Sequence, residues 1–150
     1  MARLVATLGA RLDAMKPRHL ANTAWAFSKL AVDAAPLWTS ISSQSRRTIN
    51  EFRPQELAST AWSSAALRFV DGPLCDAIAT AAIARISDFD PQGLSGTAWA
   101  MAQLVFAHRP LRDAIAAAAL AMSQDLNAQE VSNIAWSCAR LRDNQGPLLE

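Results

Sequence analysis

His19, His108, Cys75, Cys138 and the thirteen carboxylates are the residues here with a claim to acid–base, nucleophilic or metal chemistry. Their spacing supports none of it. Neither histidine has a cysteine or carboxylate at metal-ligand spacing, and the two cysteines form no CxxC pair. Cys75 and Cys138 read as buried or half-buried small residues in a reducing compartment. No glycine-rich phosphate loop is present. The carboxylates fall in loops and at helix ends, where capping and solubility account for them. No catalysis, metal or cofactor is expected. A different pattern does carry chemistry: three columns of mostly polar residues recurring every 37 positions. The first is Asn22, Ser59, Gly96 and Asn133. The second is Arg18, Gln55, Gln92 and Gln129. The third is Lys29, Ala66, Gln103 and Arg140. Asparagine offers a donor and an acceptor to a base edge, and lysine or arginine can meet a phosphate. In repeat proteins that read RNA, one unit addresses one base with two or three side chains.

The same interval organises the rest of the chain. Trp25, Trp62, Trp99 and Trp136 are each 37 residues apart. Pro36, Pro73, Pro110 and Pro147 form one proline ladder, each followed by leucine. Pro17, Pro54 and Pro91 form another, with Ala128 in the fourth slot. Fixed-period recurrence of this kind marks a repeat architecture. Met1–Met15 reads as the second half of a unit. Residues 16–52, 53–89 and 90–126 are complete units, and 127–150 is a first half. A piece of a longer array is the expectation.

Each unit reads as two helices. Proline at the first helical position costs no hydrogen bond, because the N–H it lacks would have no intrahelical partner there. Asp90 and Asn127 are suitable N-caps, and Asn127 with Glu130 has capping-box spacing. At about 100° per residue, Leu20, Ala21, Ala24, Trp25, Phe27, Ser28 and Ala31 share one side of the first helix. Arg18, Asn22, Ala26, Lys29 and Asp33 share the other. The second helix carries an apolar stripe at Leu74, Ile78, Ala82, Ile86 and Phe89. No sustained alternation signals a strand. The predicted fold class is all-α, an α-solenoid of stacked helix pairs with a 37-residue repeat. The four ladder tryptophans are expected in the repeat core, filling the seam between first and second helices. Trp38, off the ladder, is expected at a surface or edge.

The first-helix phrases PRHLANTAW, PQELASTAW and PQGLSGTAW resemble octotricopeptide repeats, whose first helix carries a proline-glutamine-x-leucine-alanine-asparagine-threonine-x-tryptophan-alanine signature. Similar helical repeats occur beside RAP domains and in kinetoplastid RNA-editing substrate-binding complexes. The resemblance spans the whole chain. It departs in two places: the period is slightly shorter, and the proline-glutamine pair is Pro17-Arg18 in one unit and Ala128-Gln129 in another. It implies an organellar RNA-binding protein, in mitochondrion or plastid, that acts in RNA processing, stability or translation. Single-stranded RNA is the implied partner, and other proteins of a ribonucleoprotein complex are possible partners.

Composition fits a folded domain: 51% hydrophobic and 18% charged residues, with a net charge of +1. No apolar run reaches the roughly 18 residues of a membrane span, so no membrane partner is expected. Charge is uneven. Residues 16–52 hold five basic and two acidic side chains, whereas the later three segments are each −1. RNA binding normally brings a basic groove, so two classes stay open: a single-stranded RNA array and a scaffold solenoid that binds a peptide or another helical protein.

Overall fold

The computed structural model describes residues 2–30 and 35–143. Among them the chain is all-helical, without a strand. The helices are α1 (Ala2–Gly9), α2 (Pro17–Leu30), α3 (Ala35–Arg47), α4 (Pro54–Ala66), α5 (Gly72–Ala84), α6 (Pro91–Gln103), α7 (Arg109–Ala121) and α8 (Ala128–Asp143). Short 3-10 turns at Leu12–Ala14, Ile49–Glu51 and Ile86–Asp88 lead into α2, α4 and α6. Ala31, Asp33 and Pro147 lie outside the described residues.

Helix starts follow the residues that can satisfy exposed N–H groups. Proline opens α2, α4 and α6. Asp90 accepts from the Gly93 N–H at 2.6 Å and Asp71 from the Leu74 N–H at 3.0 Å. Asn127 and Glu130 close a reciprocal capping box at 2.8 and 2.9 Å. At the other end, α4 and α6 finish in a left-handed residue, Arg68 (φ 53°) and Val105 (φ 55°). Phe69 then donates to the Ser64 carbonyl and Phe106 to the Met101 carbonyl, both at 2.9 Å. This is the Schellman arrangement, built here without its usual glycine.

The helices stand in two layers. Neighbours pack in the order α2, α4, α6, α8 in one layer and α1, α3, α5, α7 in the other. The most extensive packing lies within the first layer, and its residues explain why. Ala24, Ala61 and Ala98 occupy one register and are buried, as are Leu20, Leu57 and Leu94. Small side chains let helix axes approach closely. The buried hydroxyls between them are satisfied inside their own helices: Thr60 donates to the Glu56 carbonyl and Thr97 to the Gly93 carbonyl, both at 2.8 Å. Back-bonding of this kind removes the cost of burying a lone hydroxyl. Leu74, Ile78 and Ala82 of the second-helix stripe are buried, and Ile86 and Phe89 continue it through the following turn.

Two expectations are corrected. Periodicity places the four ladder tryptophans in the core, but Trp25 is 49% and Trp136 43% exposed, and Trp62 and Trp99 are half-buried. The buried positions of the first helices are taken by Leu20, Leu57 and Leu94 with the smaller Ala24, Ala61, Ala98, Thr60 and Thr97, not by the indoles. The rings lie nearer the surface. Trp38 shows the reverse: it is 2% exposed and packs on Phe69 with centroids 5.9 Å apart. The loop after α4 swings Phe69 back over α3, so a position that looked peripheral is covered by the next helix pair.

Candidate functional site

Groups able to do acid–base or nucleophilic work are spent on structure. His108 Nδ1 accepts from the Leu111 N–H at 3.1 Å, opening α7 as Asp71 opens α5. His19 Nδ1 accepts from the Lys16 N–H at 3.4 Å. Its register is that of Glu56 and Glu130, which accept from the N–H groups of Arg53 and Asn127. Both histidines thus stand where other units place a capping carboxylate. Burial pushes the Cys75 thiol up to about 11 and the Cys138 thiol up as well, so both stay protonated and poorly nucleophilic near neutrality. Among the described residues, no group of three or more His, Cys, Asp or Glu side chains could hold a metal ion.

The opening of interest lies on the first-helix layer. A groove of about 430 Å³ crosses α2, α4, α6 and α8. Its floor carries Ser59, Gly96 and Asn133 from the first polar column and Gln55 and Gln92 from the second. The indoles of Trp25 and Trp62 also line it. Gly96 has open space around it, with nothing within 4 Å of an added Cβ, so a larger side chain fits there. Gly93 is constrained: a Cβ would meet the Asp90 cap oxygen at 2.8 Å.

The remaining candidates are not brought into this lining. Asn22 and Arg18 are exposed on α2. Gln129 is exposed and donates to Asn133 Oδ1 at 2.9 Å, which orients the asparagine amide. The third column does something its types alone do not announce. Lys29 Nζ stands 4.7 Å from the Trp62 ring centroid and 5.7 Å from that of Trp25. Arg140 lies 5.4 Å from the Trp136 centroid and donates to the Ala102 carbonyl at the end of α6. Ala66 and Gln103, at the equivalent places, supply no cation, and there Trp62 and Trp99 stack on each other at 6.3 Å and 25°. Placing tryptophan in the core hid this ladder. The expectation that Lys29 and Trp25 lie on opposite sides of the first helix is corrected too: Lys29 and Arg140 each follow a tryptophan by four residues, a spacing that makes them surface neighbours.

A row of indoles beside a polar groove is the geometry on which the comparison with known proteins bears. The family model of the RNA-editing substrate-binding complex 6 protein matches residues 2–146. The chain belongs to the RNA-editing substrate-binding complex 6 protein family. Among the groups that the repeat resembles, this is the editing-complex one. No curated protein matches the chain. The family match spans all eight helices, and thus every helix that lines the groove. No helix among the described residues is long and apolar enough to cross a membrane.

Proposed function

We propose that this member of the RNA-editing substrate-binding complex 6 family is a non-catalytic, single-stranded RNA-binding array. In this reading residues 1–150 form one α-solenoid of 37-residue helix pairs, with units at 16–52, 53–89 and 90–126. The observation that carries it is the groove across α2, α4, α6 and α8, which gathers Gln55, Ser59, Gln92, Gly96 and Asn133 beside two indoles. Amides and hydroxyls reach base edges, indoles stack on bases, and lining residues drawn from four successive first-layer helices suit a strand that crosses them in turn. The family name supplies the RNA context, and the mitochondrial setting is proposed from the resemblance to kinetoplastid RNA-editing substrate-binding complexes. A plastid setting rests on the octotricopeptide resemblance alone.

Photocrosslinking to short single-stranded RNA tests the placement. Crosslinks are expected in the peptides that carry Gln55–Trp62 and Gln92–Trp99. Crosslinks confined to α3, α5 and α7 would overturn it. The scaffold reading draws on the near-neutral charge. It would prevail if the chain bound no RNA while a protein partner protected this same groove.

A further inference from the structure

The tryptophan ladder is uneven, and the unevenness points to one place. Trp62 and Trp99 stack directly on each other. Between Trp25 and Trp62 the ladder instead holds the Lys29 ammonium, within reach of both ring faces. The groove is lined by the two indoles this ammonium covers. Trp25 is half exposed there, with Gln55 and Ser59 facing the same opening. Packing gives no reason to leave so large an apolar ring in water, and aromatic side chains with a wet face are characteristic of binding surfaces.

We propose that the Trp25–Lys29–Trp62 station receives one unpaired nucleobase of a single-stranded nucleic acid, stacked on the indoles, while Lys29 turns out to the adjoining phosphate. The proposal rests on the RNA-binding reading and names the station at which it begins. A cation over an exposed ring is held by about 0.5–1 kcal/mol, so displacing it is easy. The flexible four-carbon stem of lysine lets the ammonium move without moving α2. A base has a π-face whatever its identity, so the station grips any base and leaves discrimination to Ser59, Gln55 and Asn133. The groove volume of about 430 Å³ lies within the roughly 300–1,000 Å³ of sites that take small molecules.

The test is fluorescence anisotropy of a short labelled single-stranded RNA with the whole 150-residue chain across a salt series. Circular dichroism on each variant checks the fold. Trp25→Ala is expected to weaken binding roughly 5- to 150-fold with an unchanged salt slope. Trp25→Phe should restore most of the loss. Lys29→Met, which keeps the apolar stem, should lower the salt slope by about 0.7 of an ion. If the unaltered chain binds RNA and folded Trp25→Ala binds within twofold of it, the station is wrong and the RNA-binding reading survives. If the unaltered chain shows no salt-dependent binding at low ionic strength, both fall.

Discussion

Val105 ends α6 at φ 55°, a left-handed conformation that a β-branched side chain resists. The strain is about 1–2 kcal/mol, partly offset because glycine there would gain unfolded-state freedom worth about 0.5–1 kcal/mol. Val105→Gly is therefore expected to stabilise the chain by about 0.5–1 kcal/mol, a rise of roughly 2 °C in Tm, read by thermal circular dichroism. The thiols give a pH dependence. Burial lifts the folded Cys75 pKa from 9.0 to about 11, and the unfolded chain has no such burial. Its contribution to stability is complete below pH 9 and is lost as pH rises from there to about 11. Urea titrations at pH 8 and pH 11 should show this loss, and Cys75→Ala should lessen it. The same burial means that Cys75 should resist alkylation at pH 8 until the chain unfolds. At this scale the sequence showed which residues recur but not what each touches. An indole and an alanine on one helix face cannot be ranked for depth until the distance to the next helix is known. That distance depends on small residues in both partners, which is why Trp25 lies outside and Trp38 inside.

The elements are where residue type read through most directly. Proline opens α2, α4 and α6 because it loses no hydrogen bond there, and Asp90 and Asn127 cap as their side chains require. The histidine caps were hidden, because imidazole becomes an acceptor only when Nδ1 is the unprotonated nitrogen, which sequence does not reveal. The ends of α4 and α6 were hidden too, since arginine and valine stand where glycine usually marks a Schellman stop. The Asp90 cap supports a quantitative test. Asp90→Ala should cost about 1 kcal/mol in urea denaturation, and Asp90→Asn, an equally good cap, much less. Equal losses for the two would mean that the carboxylate acts other than as a cap.

Across the whole molecule, stability should follow the layers. The middle helices α4 and α6 have first-layer neighbours on both sides, and their facing residues are buried. α1 contributes no buried residue. Hydrogen exchange should therefore be slowest in α4 and α6 and fastest in α1. Uniform protection would contradict the packing order. All-helical character was readable because hydrophobic spacing, proline positions and absent alternation agreed. The groove was half readable: Gln55, Ser59, Gln92, Gly96 and Asn133 were marked as columns, but convergence on one opening depends on how closely the helices pack. Charge sets the expected strength. Only residues 16–52 carry a marked basic excess, and three or four base contacts at roughly 1–3 kcal/mol each must exceed an association cost of about 4 kcal/mol or more.

Single-stranded RNA binding along the first-helix layer is thus expected to be weak for this chain, with a measurable but shallow salt dependence. The direct measurement is anisotropy of the chain with a pool of short single-stranded RNAs from low to physiological ionic strength. The expected result is a Kd near micromolar or weaker at low salt, rising steadily with salt and increased further by Trp25→Ala. Absence of any binding at the lowest salt, by a chain whose helical content is intact, would contradict the account.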